Sequence, residues 1–356
     1  MERIKRFKES LIRSGVDSAI ITSGVTQAYL TGFDFSDGYV VITPKGCYLV
    51  TDFRYVEAAR NEAFDGVEVV LAEKGTFGTM KDIVLSENCK RLAFEEKNAT
   101  FSQYEMLKNE LFDIELVPIV SGLLSSMMAL KDEDEIERIA EAQAITDRAF
   151  THILSVIDRN MTEIDVAVEL EYFMKKQGAD GLAFDTIAVS GTASAMPHGV
   201  PRNKKLEDGF LTLDFGAMKG GYASDMTRTV VIGRADSEMK KMYSTVLSAQ
   251  ERALDVIKAG LECSFVDKIA RDIINEAGYE GLFGHSLGHG VGRYIHEFPS
   301  LSPRSDAILE VGNVVTVEPG IYVEGKYGLR IEDMVAITEN GIRNFTKSPK
   351  ELIELF

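Results

Sequence analysis

The sequence predicts an α+β protein built from two units: a smaller N-terminal α/β unit, and a larger one in which helices pack on an antiparallel sheet. Three observations predict it. The chain has 356 residues, which at roughly 150 residues per domain makes about two domains, each able to bury a core. Short apolar runs alternate with helical spacing over about the first 120 residues, a normal domain size. Beyond Lys131, long helical patterns alternate with pairs of long, Gly-punctuated strands. Hydrophobic residues at 45% and charged residues at 27% exclude wholesale disorder and collagen-like or disulfide-scaffold architectures.

In the first unit, set at residues 1–124, Ile4, Phe7, Leu11 and Ile12 recur at helical spacing. Strand-like runs follow at Ala19–Ile21, Tyr39–Ile42, Cys47–Val50 and Val67–Leu71, broken by Gly and Pro turns. A strand-like Arg91–Phe94, a helical Phe101–Leu111 and a strand-like Leu116–Ile119 close the unit. In the second, residues 125–356, the acidic run Asp132-Glu133-Asp134-Glu135 suits a helix N-terminus and opens a periodic stretch through Ile136, Ile139, Ala142, Ile145, Ala149 and Ile153. Thr162 caps a second helix that runs to Gly178, and two more helices cover about Glu238–Ala259 and Val266–Ala277. Two strand pairs complete the unit: Phe210–Gly216 with Gly221–Ile232, and Val314–Val323 with Gly328–Ile337.

A net charge of −17 repels phosphate backbones, and no basic stripe offsets it, so nucleic acid is not an expected partner. Cys47, Cys89 and Cys263 are odd in number and far apart, which reads as reduced core thiols of a cytoplasmic protein. The charged N-terminus lacks a signal-peptide apolar stretch, and nowhere do about 18 apolar residues run together, so no membrane segment is expected.

The strand pairs carry the chemistry. In Leu211-Thr212-Leu213-Asp214-Phe215 the period-2 alternation separates Leu211, Leu213 and Phe215 from Thr212 and Asp214. The return strand brings Asp225, Thr227 and Thr229 onto one face, Asp225 lying 11 residues after Asp214. The second pair repeats this with Glu318 and, 14 residues later, Glu332, with Arg330 beside it. Taken singly, each carboxylate or histidine reads as a turn, salt-bridge or loop residue. Jointly, facing carboxylates repel unless protonated or bridged by cations, and two divalent cations would neutralise all four. A nitrogen ligand is on offer in Gly284-His285-Ser286-Leu287-Gly288-His289-Gly290-Val291-Gly292, with His289 the choice. Of the five histidines, His198, His285, His289 and His296 lie in polar, Gly- or Pro-flanked stretches, whereas His152 lies within a helix.

Two short motifs mislead. Asp214-Phe215-Gly216 spells the kinase magnesium motif but lacks a Gly-rich phosphate loop before it. Gly284-His285-Ser286-Leu287-Gly288 fits a nucleophile elbow, yet no convincing strand precedes it and no acid lies between Ser286 and His289 or His296.

At these residues the sequence resembles the pita-bread metallopeptidases, a family that includes methionine aminopeptidase, Xaa-Pro aminopeptidase and Xaa-Pro dipeptidase (prolidase). The family's five-ligand set falls on Asp214, Asp225, His289, Glu318 and Glu332, within LDFGAMKGGYASDMTRT, GHSLGHGVG, VEPGIY and GLRIED. The resemblance implies a catalytic pita-bread domain behind a creatinase-type N-terminal domain, the latter pointing to the proline-specific members. It implies two divalent ions, most simply Mn²⁺ for so oxygen-rich a set, with Co²⁺ or Zn²⁺ as substitutes. Glu318 would take the proton from the attacking water, and His296 and His198 would hydrogen-bond the substrate carbonyl and the developing oxyanion. His285 would line the pocket for the proline ring, and Arg330 would orient Glu332 or a nearby carboxylate.

The resemblance further implies proline-containing peptides as substrates and a homodimer in which Tyr39, Phe53 or Arg54 could reach a neighbouring subunit's site. Prolidase-like members often carry an arginine four residues after the second accessory histidine; here that position is Ser300, with Arg304 the nearest basic residue. The expectation is therefore an Xaa-Pro aminopeptidase, with the dipeptidase as alternative. A non-catalytic peptide-binding relative or a metal-free creatinase-type hydrolase would lack the ligand set that this chain retains.

Overall fold

The computed structural model describes residues 2–356. The chain divides into two compact units, one ending at Met127 and the other spanning Met128–Phe356. The division falls at the end of the helix Val120–Met128, so the boundary expected after residue 124 lies inside that helix.

The first unit is a six-stranded mixed sheet in the order Glu68–Leu71, Cys47–Thr51, Gly38–Ile42, Ser18–Ile21, Arg91–Phe94, Glu115–Pro118. Gly38–Ile42 pairs antiparallel with both its neighbours, and the remaining pairs are parallel. Ile20, Val41, Val50 and Leu92 are fully buried in its core, and the helix Glu2–Arg13 buries its Ile4, Phe7 and Leu11 stripe. Four helices have no clear sequence signal: Gly24–Thr31, Val56–Glu62, Thr76–Ser86 and Val120–Met128. Segments this short depend on tertiary packing more than on intrinsic propensity. The first of them buries polar Thr26, Gln27 and Thr31 alongside apolar residues, which erases an amphipathic pattern.

In the second unit the helix starts fall where the caps place them. Asp132 and Glu135 form a capping box on Glu133–Val156, Thr162 and Asp165 another on Glu163–Lys176, and Asp236 caps Ser237–Val256. Cys263–Ile274 follows. Leu211, Leu213 and Phe215 pack against the first helix pair together with Ala149, Ile153, Val166 and Leu170. Phe210, Val231, Val315 and Val317 pack with the second pair. Each such Val, Leu, Ile or Phe side chain fully buried contributes about 1.5–3 kcal/mol.

The strands do not form the single sheet expected. Gly209–Phe215 pairs with Met226–Ile232 and with Ile187–Ser190, while Val314–Val317 pairs with Asp333–Thr338 in a separate five-stranded sheet. Ala217–Lys219 with Tyr222–Ala223, and Gly320–Val323 with Tyr327–Arg330, continue each hairpin in smaller sheets. Both expected hairpins are thus broken, one at Gly216 and the other at Pro319. A Cβ at Gly216 would meet Ser224 O at 1.9 Å, and Pro319 has no N–H to continue a ladder. Among the described residues no helix is long and apolar enough to cross a membrane.

Candidate active site

All four carboxylates lie at the breaks. Asp214 is the penultimate residue of its strand and pairs with Thr227, Asp225 precedes Met226, Glu318 follows Val317, and Glu332 sits between Arg330 and Asp333. A strand that changes partners points its end residues into the space between sheets. There a cavity of about 650 Å³ is lined by Asp214, Asp225, Glu318, Glu332, His198, His285, His289, His296 and Arg330, every site residue that the sequence singles out. The fifth histidine, His152, instead bonds Glu169 at 2.6 Å and stacks on Phe173.

Two threonines fix the carboxylates. The Thr227 hydroxyl donates to Glu332 Oε2 at 2.7 Å and accepts from Arg330 Nε at 2.9 Å. The Thr316 hydroxyl donates to Glu318 Oε1 and accepts from the His289 backbone N–H, both at 3.1 Å. Arg330 donates from Nη2 to Asp214 Oδ2 at 2.5 Å, and from Nη1 to the Tyr322 hydroxyl at 2.6 Å and to Pro197 O. It therefore orients Asp214 rather than Glu332, and its Nε, Nη1 and Nη2 are all engaged by protein.

His289 faces Gly290 O through Nδ1 at 3.1 Å. A carbonyl can only accept, so Nδ1 carries the proton and the Nε2 lone pair is turned toward Asp225 Oδ2 at 3.5 Å and Glu318 Oε1 at 3.4 Å. Burial lowers its pKa to about 4, which keeps the ring neutral. His285 likewise donates to Ser286 O and accepts at Nε2 from Tyr322; burial, reinforced by Arg330, brings it down to about 3. His296 packs against His289 with ring centroids 4.3 Å apart.

The electrostatics favour cations. Burial first, then repulsion from neighbouring carboxylates (Glu332, Asp214 and Glu318 on Asp225; Glu318 and Asp214 on Glu332), raises Asp225 and Glu332 well above the ordinary carboxylate range. Burial likewise pushes Glu318 up to about 7, with Asp214 adding to the shift and Arg330 opposing it. Asp214 Oδ1 and Glu332 Oε1 are buried with no hydrogen-bond partner, a costly state for a carboxylate oxygen. Ligand atoms of Asp225, His289 and Glu332 lie within 4.8 Å of one another. Neutral imidazole with carboxylate oxygens is a donor set for divalent transition metals.

A model of the metallopeptidase family M24 matches residues 137–339, and one of the creatinase/prolidase N-terminal domain matches residues 3–127. The chain belongs to metallopeptidase family M24. Its fold is the pita-bread fold of M24, preceded by a creatinase-type N-terminal domain. The M24 chain is similar to an Xaa-Pro dipeptidase of Pyrococcus horikoshii, 37% identical over 99% of each chain. Among solved structures it resembles an Xaa-Pro dipeptidase from Bacillus anthracis, with TM-score 0.96, 44% identity and coverage of 100% of this chain and 99% of that one. It also resembles an X-Pro aminopeptidase from Thermotoga maritima, with TM-score 0.91, 39% identity and coverage of 96% and 98%.

Thr227, Thr316 and Tyr322 carry no assigned role at the sequence level. The threonines share a strand face with Asp225 and Glu318, a signal that could find them, whereas Tyr322 becomes visible only through its contacts. The apolar wall of the M24 cavity, Phe184, Ile187, Val200, Pro201 and Ile295, has no motif. Ser300 lines the cavity as well. In the N-terminal unit Arg54 is forked onto Asp52 and Asp37, Phe53 is exposed and Tyr39 packs on Phe77.

Proposed function

We propose that this M24 metallopeptidase hydrolyses the bond before proline, with Xaa-Pro dipeptides as its preferred substrates. The observation that carries the metal-dependent chemistry is the set of four carboxylates and one neutral imidazole lining a single cavity, with one oxygen each of Asp214 and Glu332 buried and without a protein partner. The choice of dipeptides rests on the relatives named Xaa-Pro dipeptidase and reverses the preference drawn from Ser300.

Asp214, Asp225, His289, Glu318 and Glu332 would hold two divalent ions, with Mn²⁺ suited to so hard a set. Bound there, the ions would acidify water and polarise the scissile carbonyl. Glu318, held by the Thr316 hydroxyl, is the acceptor for the proton of the attacking water. His296 and His198, on the cavity wall, are the donors to the carbonyl oxygen, where negative charge develops. Neutral His285 offers a flat face to the proline ring, and Arg330 keeps Asp214 in place.

The Xaa-Pro aminopeptidase reading stands second. It is favoured by the likeness to the Thermotoga maritima structure and by the cavity lining, whose one Lys or Arg among the described residues is Arg330, already bonded to Asp214, Thr227, Tyr322 and Pro197. Cleavage of Ala-Pro beside Ala-Pro-Ala, with Mn²⁺ and with metal-stripped and Asp225→Asn controls, separates the two. Preference for Ala-Pro supports the dipeptidase, preference for the tripeptide the aminopeptidase, and cleavage of neither by metal-loaded protein overturns both.

A further inference from the structure

Lys131 precedes the cap of the long helix Glu133–Val156 and is buried, its backbone N–H bonded to Gly312 O at 2.9 Å. Its ammonium reaches Glu297 Oε2 at 2.8 Å, with side-chain exposures of 1% and 6%. The other Glu297 oxygen accepts the Tyr294 backbone N–H at 3.0 Å. Gly292 makes room for this carboxylate, since a Cβ there would lie 2.4 Å from Glu297 Oε2, and Gly290 lets the backbone carbonyl of Phe298 approach to 2.6 Å of where its Cβ would be. Gly292 O accepts from Ala223 N and Gly292 N donates to Tyr294 O. The turn between His289 and Glu297 is therefore cinched around one carboxylate, which one ammonium holds.

We infer that Lys131 is a positioning residue for His296: through Glu297 it sets where that imidazole stands in the active site. His296 directly precedes Glu297, at the bend that leads into the strand Glu297–Leu301, so an anchor on Glu297 fixes the backbone from which His296 emerges toward His289 and the cavity. His296 is exposed, and its placement depends on the backbone that carries it. A buried ion pair is a poor device for stability alone, since an apolar pair of similar volume serves as well. The inference rests on the reading of His296 as a donor to the substrate carbonyl.

The test pairs Lys131→Met/Glu297→Gln, which removes both charges together, with the same changes in a His296→Ala background. Misplacing a catalytic donor by about 1 Å can cost on the order of 10²-fold. The expected result is a 10- to 100-fold fall in kcat on the better of Ala-Pro and Ala-Pro-Ala, shrinking to less than about twofold once His296 is gone. Lys131→Arg should keep most of the activity. In metal-stripped, ¹⁵N-histidine-labelled protein the His296 ring resonances, identified by their loss in His296→Ala, should move in the charge-free variant. Should that variant not fold, Gly292→Ala, which displaces the same carboxylate, takes its place with the same readouts. An unchanged kcat, or an equal loss in both backgrounds with the His296 resonances unmoved, overturns the inference. Wild-type protein inactive on both peptides overturns the proposed function instead, and the resonances still report on the positioning.

Discussion

Replacing Glu318 by Gln in metal-stripped protein should make the fold more stable at high pH, and adding Mn²⁺ should reverse the order. Burial and Asp214 raise Glu318 from 4.5 to about 7, so the native state binds a proton that the unfolded chain has released. Stability then falls as pH rises, because the native state binds more protons than the unfolded one. The contribution is fully present below pH 4.5 and lost by the time pH has passed about 7. A shift of this size corresponds to about 3 kcal/mol, most of it developing between pH 5 and 8. Gln stays neutral and escapes the loss. His285 and His289, whose lowered values act with the opposite sign below about pH 6.5, are present in both proteins, and relief of the repulsion that Glu318 exerts on Asp225 and Glu332 adds to the advantage of Gln at high pH. At about 2–4 °C per kcal/mol for a unit of this size, thermal melts in chelator should show Glu318→Gln overtaking wild type by roughly 5–10 °C between pH 5 and pH 8. With Mn²⁺ the deprotonated carboxylate becomes a ligand, and wild type should be the more stable. A difference that stays flat with pH, or an order that Mn²⁺ leaves unchanged, would refute the crowding of charge on which the metal assignment rests.

Three further outcomes follow from single contacts. His296→Ala and His198→Ala should each lower kcat by about 10²- to 10³-fold in steady-state assays, the usual loss of an oxyanion donor. Arg330→Met should destabilise metal-stripped protein by about 3–5 kcal/mol in urea melts, since it strips Asp214 of its buried partner. Thr162→Ala, which removes the capping hydroxyl bonded to Asp165 N, should cost about 1 kcal/mol and leave kcat unchanged.

The carboxylates are legible in the sequence because period-2 alternation assigns faces without reference to the rest of the fold. Leu211, Leu213 and Phe215 face helices, and Asp214 faces the cavity. The helix starts at Glu133 and Glu163 are legible for the same reason: capping is decided within four residues. The break at Gly216 is not, because it depends on Ser224 O approaching from another strand. Nor is the partner of Arg330: alternation places it beside Glu332, but the pairing of Gly320 with Arg330 turns the guanidinium toward Asp214. Such contacts are set by tertiary packing, which single-strand periodicity does not encode.

Ser300 is where the specificity argument can be forced. Its hydroxyl faces Gly288 O, its backbone pairs with His289, and it lines the cavity wall, at the position where the resemblance puts an arginine in prolidase-like members. A dipeptide carries its free carboxylate one residue past the scissile bond, whereas a longer peptide has a neutral amide there. A cation at this point therefore discriminates by charge alone. A charge-assisted hydrogen bond contributes about 1.5–3 kcal/mol, so Ser300→Arg should raise the ratio of kcat/KM for Ala-Pro over Ala-Pro-Ala by about 10- to 100-fold, chiefly through KM. If the ratio stays fixed while both substrates are still turned over, Ser300 does not face the substrate carboxylate. A dipeptide preference, as proposed above, would then have to arise from other groups that meet the carboxylate.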